Sequence, residues 1–342
     1  MSNVLVEARG VSKAFEVKGG AMQRIVGHVQ AVSDVDLQVF EQESLGLVGE
    51  SGCGKSTIGR LLLRLIDPDA GQILFDGQDI ARLREKELRA IRREMQIIFQ
   101  DPFSSLDPRT PIGESIAEGL RVQGMRRDER RQRALEALEL VGLEQYHYRR
   151  FPHEFSGGQR QRIGIARALA VKPRFLVCDE PVSALDVSIQ SQILNLLKEL
   201  QRDLKLTVLF IAHNLSVVEH LCDRIAVMYL GRVVEVGTRE KIFESPHHPY
   251  TLALLSAIPV PDPNRVKRQI LLPGEIPSPL HPPTGCPFHS RCPIVEMGVC
   301  DREVPALAEV PGQPGHLASC HLRTGAFQHL GGRWARMGSG AG

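Results

Sequence analysis

The sequence predicts an α/β fold: a parallel sheet whose strands end in ligand-binding loops, followed by a smaller region of different composition. Three observations predict it. The apolar run Leu45–Val48 passes through a glycine-rich loop into the helix-forming stretch Ile58–Leu65, the apolar run Phe175–Cys178 ends in two carboxylates, and from about Ser245 onward prolines become dense. Length agrees, because 342 residues amount to about two domains at roughly 150 each.

Lys and Arg total 42 against 40 Asp and Glu, a formal net charge of +2, in a chain that is 42% hydrophobic and 24% charged. That composition is globular, not disordered. It disfavours nucleic acid as a partner, since a phosphate-backbone binder carries a marked excess of Lys and Arg. Residues 1–10 lack the basic, apolar, small-residue order of a secretory signal, so the chain is expected to stay in the cytosol. No run reaches the about 18 apolar residues that cross a bilayer as a helix, so membrane association is expected to be peripheral. The 7 cysteines, in a reducing compartment, are not expected to form structural disulfides.

The first loop reads Gly49-Glu50-Ser51-Gly52-Cys53-Gly54-Lys55-Ser56-Thr57. Its G-x-x-x-x-G-K-S spacing between a strand and a helix is that of a P-loop. Glycines let backbone N–H groups close around phosphates at a helix N-terminus, whose partial positive charge holds the anion. Lys55 then reaches the β- and γ-phosphates and the Ser56 hydroxyl ligates Mg²⁺. Cys53 reads as a passenger of the loop, not a nucleophile.

At the end of the second apolar run, Asp179-Glu180-Pro181 places two carboxylates where α/β sheets bind ligands. Asp179 is expected to hold Mg²⁺. Glu180, facing the other way along an extended chain, is expected to orient or deprotonate the water that attacks the γ-phosphate. Between these sites, Ser156-Gly157-Gly158-Gln159 precedes a stretch of helix formers, Ile163–Ala170, with Ser156 as its N-cap.

These motifs, in this order, resemble the ATP-binding cassette (ABC) ATPases. The resemblance implies a RecA-like core with an antiparallel β subdomain and a helical subdomain. It also implies ATP bound between two subunits, so that Ser156, Gly157, Gly158, Gln159 and Asp186 act in trans on the partner's nucleotide. On the same resemblance, Gln100 touches Mg²⁺ and the attacking water, His213 contacts the γ-phosphate, and Phe15 lies under the adenine. For Phe15 plain core packing stays open, since an insertion-like stretch, Lys18 to Gln30, blurs the alignment. Phe155 stands where the family more often has Leu, a swap of one large apolar residue for another. With the P-loop, Glu180, the Ser156 motif and His213 all intact, hydrolysis is expected.

Longer strings, Phe99-Gln100-Asp101-Pro102-Phe103-Ser104-Ser105-Leu106, Pro181-Val182-Ser183-Ala184-Leu185-Asp186, His248-Pro249-Tyr250-Thr251 and Gly274-Glu275-Ile276-Pro277, resemble the F-type ATPase of bacterial oligopeptide and dipeptide importers, a group that includes nickel and glutathione importers. This implies a second ATPase subunit, two membrane-spanning permease subunits, an extracytoplasmic binding protein that chooses the cargo, and a place on the cytoplasmic face of the membrane. The expected division is residues 1–245 for the ATPase domain, with its helical part at about 83–170, residues 246–330 for a Pro/Cys-rich C-terminal domain, and 331–342 for a loose tail. The arginines at 126, 127, 130, 131 and 133 read as a solvated helix face, with lipid contact as the alternative.

Cys286, Cys292, Cys300 and Cys320 crowd into that C-terminal region, with Pro directly after two of them. They lack the C-x-x-C knuckle of structural zinc. Four thiolates at varied spacing suit a 4Fe–4S cluster, and the importer resemblance points the same way; zinc, free thiols or reversible disulfides are the alternatives. Two other classes compete with the importer reading. A soluble cassette ATPase remodelling a ribosomal or DNA complex would usually carry two motif sets and a basic surface, and an exporter ATPase would not share the C-terminal region.

Overall fold

The computed structural model describes residues 3–19, 24–101, 105–258 and 269–321. The expected tail at 331–342, and Pro102, Phe103 and Ser104 of the longer strings, lie outside them.

Twelve strands are described: β1 (Val4–Gly19), β2 (Arg24–Phe40), β3 (Ser44–Val48), β4 (Ala70–Phe75), β5 (Gln78–Asp79), β6 (Met95–Ile98), β7 (Phe175–Asp179), β8 (Thr207–Ala212), β9 (Arg224–Tyr229), β10 (Arg232–Thr238), β11 (Ala308–Glu309) and β12 (Leu317–Ala318). They form a four-stranded sheet in the order β2-β1-β4-β5 and an eight-stranded one in the order β11-β12-β10-β9-β3-β8-β7-β6. From β9 to β6 the larger sheet is parallel. The smaller sheet is antiparallel.

A parallel sheet is buried on both faces, so its strands read as continuous apolar runs whose alternate side chains enter different cores. β7 shows this directly. Phe175 and Val177 join one apolar cluster, with Leu209 and Ile211 of β8 and the inner faces of β1 and β2. Leu176 and Cys178 join the other, with Phe210 and the helices of the opposite face. Helix α1 (Lys55–Leu62) packs on the first face, close enough that a Cβ on Gly59 would stand 2.9 Å from Ile211 Cδ1.

After α2 (Glu85–Ile91), the opposite face carries α3 (Ile112–Val122), α4 (Arg127–Leu140), α5 (Gly157–Ala170) and α6 (Val187–Leu204), the first three within the stretch expected to be helical. α4 buries Ala134, Ala137 and Leu138 and turns its arginines outward, where Arg126 pairs with Glu129 at 2.5 Å and Arg133 with Glu136 at 3.7 Å. That pairing agrees with a solvated face. Among the described residues no helix is long and apolar enough to cross a membrane.

The described residues of the insertion-like stretch belong to β1 and β2, paired through Lys18–Ile25 and Gly19–Arg24. After α7 (Leu215–Glu219), α8 (Arg239–Glu244) and α9 (Pro249–Ala257), the C-terminal region expected from residue 246 meets the main sheet where β12 pairs with β10. A fully buried carboxylate fastens it further. Glu235 of β10 accepts from the His247 and His248 backbone N–H groups at 2.6 and 3.0 Å and lies 2.8 Å from His316 Nε2.

Candidate functional site

β3 delivers the chain into the glycine loop at the carboxyl edge of the sheet. The loop's path is set by two close approaches. A Cβ on Gly49 would stand 2.2 Å from the Met228 carbonyl oxygen, and one on Gly54 2.0 Å from that of Ala31, with Gly54 also at φ +106°. Only glycine fits either place. Gly54 caps α1, so the free N–H groups of the first turn, with Lys55, Ser56 and Thr57, open toward the loop. Ser51 and Gly52 are exposed at its crest. The Lys55 ammonium is 4% exposed and donates to the Gly49 and Glu50 carbonyls, both at 2.9 Å. Cys53 is buried beside it, and that burial pushes its thiol pKa up, as expected of a packing residue.

β7 carries Asp179 to the same edge, where Ser56 Oγ donates to Asp179 Oδ1 at 2.7 Å across 123 residues of sequence. Burial raises the Asp179 pKa above the ordinary carboxylate range, opposed by the Ser56 hydrogen bond. A hydroxyl and a carboxylate at this separation are hard oxygen donors of the kind Mg²⁺ prefers. Glu180 follows at φ 45°, in the left-handed region that a non-glycine residue enters at a cost of about 1–3 kcal/mol. Its N–H is tied to the Ile211 carbonyl at 3.1 Å and its own carbonyl accepts from Ser183 Oγ at 3.1 Å. This turn aims its carboxylate at two other expected residues. Gln100 Nε2, just past β6, donates to Glu180 Oε2 at 3.0 Å, and His213 Nδ1, just past β8, lies 3.6 Å from the same oxygen. Ser56, Asp179, Glu180, Gln100 and His213 are thus linked at the ends of neighbouring strands.

The remaining expected residues sit apart from this cluster in their contacts. Ser156 caps α5 as its residue type predicts, in a capping box: Gln159 N donates to Ser156 Oγ at 3.3 Å and Ser156 N to Gln159 Oε1 at 3.0 Å. Gly157 and Gly158 form the first turn, and a Cβ on Gly158 would stand 2.5 Å from Ile189 Cγ2. Asp186 is exposed at the N-cap of α6. Phe15 on β1 is 40% exposed with Lys13 Nζ 5.7 Å from its ring centre, so core packing, the alternative left open, does not describe it.

In the cysteine segment no disulfide joins any of the seven cysteines. Cys286 N donates to the Cys300 carbonyl at 2.8 Å. Burial, with the neighbouring thiols of Cys320, Cys286 and Cys300, pushes the Cys292 thiol up to about 12. Among the described residues, however, no group of three or more His, Cys, Asp or Glu side chains has the arrangement of a metal site.

Three residues at the loop were not singled out in the sequence. Glu50 N–H donates to Tyr250 Oη at 2.9 Å, and the Glu50 carboxylate accepts from Arg291 Nη1 at 3.0 and 3.3 Å. Separations of 200 and 241 residues leave no local trace of these contacts.

The family described as ABC transporter matches residues 32–183, and the family described as oligopeptide/dipeptide transporter, C-terminal region, matches residues 234–300. A protein of Brucella ovis is 54% identical over 318 residues, covering 92% of this chain and 97% of its own length. The oligopeptide transport ATP-binding protein AppF of Bacillus subtilis is 50% identical over 322 residues, covering 93% and 97%. Among solved structures, the ATP-binding cassette MJ0796, dimeric in a post-hydrolysis state with ADP and Pi, is 32% identical with a TM-score of 0.61, over 69% of this chain and 99% of that one. CbiO1 of Clostridium perfringens, part of a CbiONQ transporter complex, is 27% identical with the same TM-score of 0.61, over 71% and 92%.

Proposed function

This chain belongs to the ABC transporter family, among its peptide-import ATP-binding proteins, and from that premise we propose that it hydrolyses ATP to drive uptake of peptides across the cytoplasmic membrane. One observation carries the reading of the site: the Ser56–Asp179 pair and the Gln100–Glu180–His213 group meet at the strand ends beside the glycine loop. Lys55 and the N–H groups of Gly49, Ser51, Gly52, Cys53, Gly54, Ser56 and Thr57 hold the phosphates at the N-terminus of α1. Ser56, Asp179 and Gln100 would hold Mg²⁺. When bound, that ion neutralises charge on the β- and γ-phosphate oxygens. Glu180 orients the attacking water and takes up its proton, Gln100 fixes the Glu180 carboxylate, and His213 contacts the γ-phosphate.

The exposed Phe15 ring stacks on the adenine. Ser156, Gly157, Gly158, Gln159 and Asp186 of a second ATPase subunit close over the γ-phosphate, with a helix N-terminus again facing the anion. Two membrane-spanning permease subunits receive the stroke, an extracytoplasmic binding protein chooses the cargo, and the chain sits peripherally on the cytoplasmic face. Peptides, as cargo, follow from the function named for AppF. Glu180→Gln tests the catalytic assignment: ATP binding should stay within about threefold while turnover falls at least about 100-fold. Undiminished turnover in that variant would refute the role of Glu180.

We further propose, from residue chemistry alone, that Cys286, Cys292, Cys300 and Cys320 take a 4Fe–4S cluster, although their described side chains are not arranged as a metal site. Support comes from the donor chemistry alone, four cysteines with no disulfide among them. Anaerobic purification followed by iron, acid-labile sulfide and zinc analysis tests this. About four irons and four sulfides per chain are expected; one zinc without iron, or no metal, would overturn the assignment.

A further inference from the structure

Among the described residues, α9 and the cysteine segment meet the phosphate loop at Glu50. Its N–H donates to Tyr250 Oη at 2.9 Å, its carbonyl accepts from Lys55 Nζ at 2.9 Å, and its carboxylate takes Arg291 Nη1 at 3.0 Å. Glu50 therefore spends its backbone donor away from the loop interior and carries a negative charge inside a loop that, on the reading above, wraps a polyanion. Left unpaired, that carboxylate would repel the phosphates and also swing the backbone that sets the direction of the neighbouring N–H groups. Arg291 removes both problems. It is almost wholly buried, 9% exposed against 25% for Glu50, so solvent screens the pair weakly.

The two anchors are themselves fixed. Tyr250 is fully buried, and its ring packs at 4.8 Å from Tyr229 and 5.5 Å from Phe288. Arg291 Nη1 lies 3.4 Å from Tyr229 Oη. Arg291 directly precedes Cys292, and Phe288 lies between Cys286 and Cys292. The groups that hold Glu50 are thus joined to the cysteine segment, Arg291 through the backbone to Cys292 and Tyr250 through its ring contact with Phe288.

We propose that Arg291 and Tyr250 are positioning residues for the phosphate loop, so that the conformation of the cysteine segment sets nucleotide affinity. The proposal rests on the ATP-site reading above. Coupling of this kind is reciprocal: nucleotide on the loop favours the segment arrangement that pairs Arg291 with Glu50. The route is a chain of direct contacts between one part-buried ion pair, one hydroxyl and an aromatic cluster.

The test is a double-mutant cycle on the full chain. Arg291→Met keeps an unbranched stem against Tyr229 and removes the charge; Glu50→Gln removes the carboxylate. Equilibrium binding of a fluorescent ATP analogue with Mg²⁺ is measured beside thermal unfolding and steady-state kinetics. Arg291→Met is expected to weaken binding by about tenfold or more and to raise KM with a smaller change in kcat. Arg291→Lys should recover part of the loss. Arg291→Met combined with Glu50→Gln should recover most of it, because no unpaired carboxylate is left to repel phosphate. Tyr250→Phe, which keeps the ring and deletes the hydroxyl, should weaken binding severalfold. Wild-type affinity in Arg291→Met, or a double variant no better than Arg291→Met, would overturn the proposal. Failure of the wild-type chain to bind ATP would instead overturn the ATP-site reading.

Discussion

Gly52 and Gly54 provide a test of how the loop geometry sets affinity. Both have positive φ, +77° and +106°, so alanine is strained at each. Their surroundings differ. A Cβ on Gly52 has nothing within 4 Å, whereas one on Gly54 would stand 2.0 Å from the Ala31 carbonyl oxygen, and Cβ atoms essentially never approach nearer than 3.0 Å. Gly54→Ala must therefore open that contact by at least 1.0 Å, the difference between the two distances. Ala31 lies in β2, whose neighbour Ser33 is bonded to Gly231 at 2.9 Å, so the loop yields first. A shift of that size breaks one or two charge-assisted bonds to phosphate, about 2–5 kcal/mol, or roughly 30-fold to several-thousand-fold in affinity. Gly52→Ala carries only conformational cost, about 1–2 kcal/mol, and should lose no more than about 30-fold. Titration of a fluorescent ATP analogue with Mg²⁺, at temperatures where both variants are folded by circular dichroism, decides the matter. If Gly54→Ala binds within about threefold of the wild type, or Gly52→Ala is the weaker binder, the reasoning from backbone contact is wrong.

Two further outcomes are expected. Phe15→Ala should lower ATP affinity about 5- to 150-fold, the value of stacking one base, and leave tripolyphosphate affinity unchanged; an equal loss for both ligands would remove Phe15 from the adenine. Burial lowers the His248 pKa from its ordinary 6.5 to about 4, so between these values the unfolded chain binds a proton that the folded chain does not. Stability should fall as pH drops from about 6.5 toward about 4, by up to roughly 3 kcal/mol from this group, and His248→Asn should flatten the trend in urea midpoints. Identical pH slopes for the two proteins would contradict it.

Local chemistry made much of the nucleotide site legible. The loop from Gly49 to Thr57 and the strand that ends at Asp179 are contiguous in sequence, and each has a physical signature within a few residues. Ser156 was readable as a cap for the same reason: its partner, Gln159, is three positions away. The residue types at Gln100 and His213 carried little alone; their order relative to the other motifs placed them, and the sheet brings both within reach of Glu180.

Other features needed the tertiary structure. The left-handed turn at Glu180 depends on a bond to Ile211 from the adjacent strand. The exposure of Phe15 depends on how the β1–β2 ribbon lies, so a single aromatic in a run of mixed residues left two readings open. The dense prolines past Ser245 mark a change of composition, while the contacts by which that region meets the sheet, through buried Glu235 and the β10–β12 pairing, come from distant positions. The α/β fold, the phosphate loop and the carboxylates were legible without the structure, since these rest on short-range spacing and on short continuous apolar runs. Only the tertiary structure decided that Tyr250 and Arg291 hold Glu50, because a contact between residues 200 and 241 positions apart is fixed by how the sheet and the C-terminal segment pack, and no local pattern encodes it.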